Sequence, residues 1–268
     1  VVYYRSTTDF TVPVESQAPT QLTLNQYRNL EFDFTSAASG NLINFGAIDL
    51  TVLGNLTVRG VSGGRAQSAL GTNGNLTVNG DFNVESAVYR LRFEDTNSRT
   101  IRVLGNMSIA ENAVFESVGG TNVIHNLEFE GDIVNNGAFG AWVTNARYAN
   151  ISFVGNTDAF FTGTNPAATT TIFSLTMNKG TGINRMLTFD VDGTANFQSS
   201  NNWLTLTNGI FRLARASDIT VTNTATAFTI LETAALSVAD PGAIVRIGNA
   251  NSNDADLILR GRMEILGG

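Results

Sequence analysis

The chain has 268 residues, 43% of them hydrophobic, a net charge of −7 and no cysteine. That length can bury a sizeable core, while the acidic balance argues against a nucleic-acid backbone or an anionic membrane surface as partner. Zero cysteine excludes disulfides, thiolate metal sites and a cysteine nucleophile, and no apolar run reaches the ~18 residues a membrane-spanning helix needs.

Charged residues make up only 15%, against roughly 25% in ordinary soluble domains, so solubility rests on Asn, Thr, Ser and exposed backbone. Phe outnumbers Tyr and Trp, 17 against 5 and 2, a bias that suits interior stacking. With 26 Gly and 4 Pro, bends are made by glycine and asparagine, and long stretches of sheet stay uninterrupted.

In chain order, residues 1–34 open with extended segments around Tyr3, Phe10, Val12 and Val14, broken near Pro13 and Pro19. Leu22-Thr23-Leu24 follows, then a strand that puts Leu30, Phe32 and Phe34 on one face. A polar loop from Ser36 to Gly40 precedes Ile48-Asp49-Leu50-Thr51-Val52 and the phrase Gly54-Asn55-Leu56-Thr57-Val58-Arg59-Gly60-Val61. Residues 62–73 are Gly/Ser-rich and predict a protruding loop.

The phrase is stated most fully from Gly74 to Val84, where Leu76 and Val78 alternate with Asn75 and Thr77. Asn79-Gly80 predicts a bend, since both residues reach positive φ cheaply, and Phe82 and Val84 resume the alternation. The phrase returns as Gly105-Asn106-Met107-Ser108-Ile109 and, more loosely, as Gly131-Asp132-Ile133-Val134-Asn135-Asn136-Gly137-Ala138-Phe139. Between these copies, Tyr89-Arg90-Leu91-Arg92-Phe93 and Ile101-Arg102-Val103 read as strands with Arg90, Arg92 and Arg102 outward, a solvated face opposite Glu94 and Asp95 rather than a binding patch.

Further strands follow at Leu127-Glu128-Phe129 and Ile151-Ser152-Phe153-Val154, then a second surface loop over 162–171 with Pro166. The remainder predicts strands at Ile172–Met177, Met186–Phe189, Trp203–Leu206, Ile210–Leu213, Ile219–Val221, Phe228–Leu231, Leu236–Val238 and Ile244–Ile247. No window shows helical apolar spacing, so essentially no α-helix is expected.

A strand, a bend and another strand, repeated, predict an all-β solenoid: a right-handed parallel β-helix forming a single segment over residues 1–268. Leu56, Val58, Leu76, Val78, Met107 and Ile109 are expected to point inward in stacked parallel strands. At about 20 residues a rung the chain makes about 12–13 rungs and a rod of about 60 Å. The alternative is a row of tandem antiparallel β-sandwiches in which Asn79-Gly80 and Asn208-Gly209 are hairpin turns. A capping element is not visible in the closing phrase Leu257–Gly268, and the segment is expected to be part of a longer polypeptide.

Several phrases together resemble a known family. Tyr3-Tyr4, Thr11-Val12-Pro13, Tyr27-Arg28-Asn29-Leu30, the string Asp49-Leu50-Thr51-Val52-Leu53-Gly54-Asn55-Leu56-Thr57-Val58 and the ending Asp256–Gly268 are similar to the repeat regions of very large Bacteroidota cell-surface proteins. Recognisable phrases cover about half of the chain, and residues 110–200 carry no motif of that family. The resemblance implies a type IX secretion-type adhesin, including the gliding adhesins, located outside the cell. The partners it implies are the rest of a longer chain and surface glycans or other surface proteins.

For catalysis the residues offer little. Asp190-Val191-Asp192-Gly193 places two acids on one strand face, about 7 Å apart, which reads as an outward pair before an Asp-Gly turn, or as a surface calcium site. Asp240, Asp254 and Asp256 supply no second pair in register, as a β-helix polysaccharide lyase or glycoside hydrolase would need. His125 is the only histidine, lacks a nucleophile motif beside it, and reads as structural. Gly63-Gly64-Arg65 lacks the glycines and lysine of a phosphate cradle. Trp142 and Trp203, with Tyr148, read as packing or as a sugar-stacking platform. The expectation is no enzyme and no cofactor: a structural or adhesive shaft, with a β-helix polysaccharide enzyme or a specific glycan-binding module as alternatives.

Overall fold

Leu50-Thr51-Val52 alternates apolar and polar side chains, so an extended strand turns Leu50 and Val52 to one face and Thr51 to the other. The computed structural model describes residues 2–4, 10–12, 16–17, 22–23, 25–34, 42–45, 49–60, 65–68, 74–85, 88–92, 98–118, 122–197, 202–222, 226–248 and 256–267. In it, Leu50–Val52 lies parallel to Leu76–Val78, with Leu50 beside Leu76 and Val52 beside Val78. This first sheet continues through Thr100–Val103, Ile124–Phe129, Arg147–Phe153 and Ser174–Asn178.

A second sheet grows beside it from Leu30–Phe34, Leu56–Gly60, Phe82–Glu85, Met107–Ile109, Ile133–Asn135, Ala159–Gly163 and Met186–Val191, all parallel. A third, eight-stranded sheet collects one strand per turn from Phe10–Val12 to Thr194–Phe197. As far as Thr194–Phe197, each turn of chain visits the three sheets in the same order, which makes a parallel β-solenoid. Among the described residues there is no α-helix, hence none long and apolar enough to cross a membrane.

The chain returns to an equivalent position after 23 to 33 residues, from Arg65 beside Val88 to Phe10 beside Ile43, so the turns are fewer and longer than a 20-residue reading gives. The reason lies in the phrase itself. Leu56 belongs to the second sheet and pairs with Phe82, whereas Leu76 belongs to the first and pairs with Leu50. Leu-Thr-Val-x-Gly-x-Leu-Thr-Val therefore spans two sheets and the corner between them, and copies 20 residues apart sit on different sides. The tandem-sandwich alternative is excluded over the same residues: Val78 pairs with Val52 and Val103, and Phe82 with Leu56 and Met107, all in parallel.

Two expected loops contain strands. Residues 62–73 include Arg65–Ser68, and residues 162–171 hold the ends of Ala159–Gly163 and Thr169–Ile172 with a five-residue loop, 164–168, between them. Both Arg65–Ser68 and Thr169–Ile172 belong to the third sheet, and their own sequences, Arg-Ala-Gln-Ser and Thr-Thr-Thr-Ile, are mostly polar and lack the Leu-Thr-Val signature. The separate strands read at Trp203–Leu206 and Ile210–Leu213 are one bent strand, Leu204–Leu213, that passes from the first sheet to the second.

The inward rows form one core. Leu56, Val58, Leu76, Val78, Met107 and Ile109 are all buried, each such side chain contributing roughly 1.5–3 kcal/mol. Through that core runs a column of rings, Phe82, Phe115, Phe139, Phe161 and Phe189, with neighbouring centroids 5.2 to 6.1 Å apart, which accounts for the phenylalanine bias.

Candidate functional site

The corner between the first and second sheets repeats most regularly and brings the most polar side chains into register. Asn29 Oδ1 accepts the amide of Asn55, Asn55 Oδ1 that of Asp81, Asp81 Oδ1 that of Asn106, and Asn106 Oδ1 that of Asp132, at 2.8 to 3.0 Å. Each side chain thus satisfies the amide one turn later, and Asn106 between Asp81 and Asp132 keeps like charges from stacking directly. Gly54, Gly80, Gly105 and Gly131 line the same corner. The bend was expected to need positive φ, yet none of these four adopts it; glycine is required there because the neighbouring turn leaves no room for a Cβ.

Farther along, the corner holds a fully buried lysine. Lys179 Nζ donates to the carbonyl oxygens of Glu130 and Val154, at 2.7 and 2.5 Å. Burial pushes its pKa down, and the charges of Glu130, Asp132 and Asp158 oppose that shift. A lysine with a depressed pKa is the type used as a nucleophile, but this one is turned inward onto two backbone oxygens. A second buried polar group, Asn135, occupies an inward position and is satisfied by the Thr169 carbonyl, Thr170 Oγ1 and the Gly137 amide. Neither residue was singled out from sequence, because a lysine beside a glycine and an Asn-Asn-Gly run both read as turn.

The outward feature of greatest chemical interest is an aromatic cluster. Trp142–Thr144 pairs antiparallel with the start of Arg147–Phe153, making a small hairpin on the side of the rod. Tyr148 stacks on Phe173 at 3.6 Å and Trp142 meets the same ring edge-on at 6.0 Å, all three half-buried beside exposed Val143 and Ile124. Burial raises the Tyr148 pKa. Phe173 was missed because Ile172–Met177 reads as one strand, whereas the chain turns a corner at Phe173, between Ile172 and Ser174. Trp203 is not part of this cluster. It is buried, stacks on Phe197 and donates Nε1 to the Thr220 carbonyl at 2.8 Å.

The acidic candidates are dispersed. Asp190 is exposed on the outer face, while Asp192 lies in the corner, ion-paired with Arg215 one turn on. Asp240 Oδ1 accepts the Gly242 amide at 2.7 Å, Asp256 is exposed, and Asp254 lies outside the described residues. No group of three or more His, Cys, Asp or Glu among the described residues could hold a metal ion.

His125 is buried, and its Nδ1 accepts the Arg99 amide one turn earlier at 2.9 Å. Arg102 faces outward between Glu128 and Glu130, at 3.8 and 2.6 Å, an exposed arrangement contributing about 0–1 kcal/mol per pair. Gly63, Gly64 and the side chains of Arg65, Arg90 and Arg92 lie outside the described residues.

Stacked parallel turns around one apolar core define the chain as a β-solenoid protein. No protein-family model, curated protein or solved structure matches it.

Proposed function

We propose that this chain is a non-catalytic shaft of a large secreted bacterial cell-surface protein, spacing or presenting adhesive surfaces. The observation that supports it best is the continuity of the corner between the first and second sheets. From Asn29 to Asp132 every turn repeats the same side-chain-to-amide bond, so length is added without changing the local structure. The resemblance to type IX-secreted Bacteroidota adhesins supports the extracellular location and a longer parent chain. Among the described residues, Asp190, Asp192, Asp240 and Asp256 lie apart from one another and Asp192 is ion-paired with Arg215, which favours the shaft over a polysaccharide lyase or hydrolase.

The test keeps the parent protein whole. Leu76 and Ile101 occupy equivalent positions, so deleting residues 76–100 removes one turn in register. For a shaft, cells displaying the shortened protein attach as before but with shorter reach. Turnover of an acidic polysaccharide that disappears with Asp190→Asn or Asp192→Asn overturns the proposal.

A second reading, a glycan-binding module, is favoured by the aromatic cluster of Trp142, Tyr148 and Phe173, since ring faces beside uncharged polar groups suit sugar rings. Attachment lost on Trp142→Ala with folding intact selects that reading over a passive shaft.

A further inference from the structure

The three ladders that hold successive turns together do not persist equally along the rod. The eight-stranded third sheet closes at Thr194–Phe197. The next strand on that side, Asp218–Thr222, pairs among the described residues with Ile244–Ile247 alone, in a separate two-stranded sheet. One turn on, the first sheet thins as well. Leu204, Thr205 and Leu206 pair fully with Leu175, Thr176 and Met177 below them, but above them, among the described residues, only Leu206 pairs, with Ile230.

A groove of about 260 Å3 opens at that place between Leu204–Leu206 and Phe228–Leu231. Asn202 spans it with one bond from Nδ2 to the Ala227 carbonyl, at 3.4 Å, while its Oδ1 is buried with no partner among the described residues. On the third side the indole of Trp203 fills the break, stacked on Phe197 at 4.2 Å and bonded to the Thr220 carbonyl. A side-chain bond thus stands where neighbouring turns have a backbone ladder. Among the described residues the second sheet alone runs through without a gap, Met186–Val191 to Leu204–Leu213 to Ala234–Val238.

We infer that residues 202–222 form a compliant joint in the rod, hinged on the second sheet, at which the turns beyond open as a unit from the turns before. One leaf of continuous backbone hydrogen bonds carries the connection, while two leaves part on either side of a single turn. Local opening follows the regions with the fewest cross-strand bonds. The joint depends on ladder continuity alone and holds whether the rod is a spacer or a binding module.

Hydrogen exchange on the intact chain tests it. The expected result is a step: segment 202–222 exchanges at least tenfold faster than segment 174–197, and 226–238 opens together with it. Trp203→Phe keeps the ring stack but removes the bond to Thr220, and raises exchange beyond residue 202 while leaving 101–109 unchanged. Exchange that climbs smoothly toward residue 267 with no step near 202 marks simple fraying from the end and overturns the joint. A Trp203→Phe effect spread evenly over all turns overturns it as well.

Discussion

The Gly105 amide donates to the Gly80 carbonyl oxygen at 3.1 Å, and a Cβ added to Gly105 would lie 2.4 Å from that same oxygen. Bond and exclusion are one relationship: turns close enough to bond here are too close to admit a side chain. Gly105→Ala is expected to destabilise by about 1–3 kcal/mol through overpacking. Gly182→Ala, where a Cβ meets nothing within 4 Å, should stay within about 0.5 kcal/mol of the parent. Urea titration of the two variants checks the contrast, and equal effects would remove close stacking as the reason for the glycine row.

Asp81 Oδ1 accepts the Asn106 amide at 2.8 Å. Asp81→Asn keeps an oxygen in place and should be nearly neutral, whereas Asp81→Ala should cost about 0.5–1.5 kcal/mol, the net worth of one hydrogen bond. Thermal unfolding of both variants decides; an alanine variant as stable as the asparagine variant would show that the bond contributes nothing.

Lys179 has a folded pKa below its ordinary 10.5 because burial disfavours the ammonium. The unfolded chain therefore holds the proton more tightly than the folded one. The native state carries a penalty below the folded value, relieved as pH rises from that value toward 10.5. Lys179→Met should destabilise at neutral pH by about 1–3 kcal/mol, since the Glu130 and Val154 carbonyls lose their donor. Its stability gap to the parent should widen as pH climbs through the window below 10.5. A gap that narrows with rising pH contradicts the assignment.

Asp218 and Arg246 form a two-point ion pair at 2.7 and 2.8 Å that joins Asp218–Thr222 to Ile244–Ile247. The guanidinium hydrogen bond holds the Asp218 pKa below its ordinary 3.8. The pair's contribution is therefore complete above that ordinary value and is lost as pH falls through the folded one. In Arg246→Gln, melting temperature should lose less than the parent does over that acid range, with the two curves converging at its lower end. Parallel curves would argue that the pair adds no pH dependence.

How much of this was legible in advance depends on which ladder is considered. Alternation in Leu76-Thr77-Val78 and Phe82-Asn83-Val84 named the inward residues, because a strand has a two-residue period that any local stretch displays. Glycine at the corner was legible too, though for the wrong reason, since close approach of another turn is invisible to a local argument. The aromatic pair of Trp142 and Tyr148 could be suspected from sequence, but Phe173 joins them only because the chain turns between Ile172 and Ser174.

What the sequence by itself determined is the all-β character, the stacked-turn architecture and the identity of the apolar rows, since these follow from alternation and repetition along the chain. Tertiary structure alone decided the number of sheets, the length of the turn and the register of each contact. The Leu-Thr-Val phrase occurs on two different sheets, so similarity between copies could not say which pairs with which. That choice belongs to residues 23 to 33 positions apart, settled by which side chains share the interior and which amides find a carbonyl in the next turn.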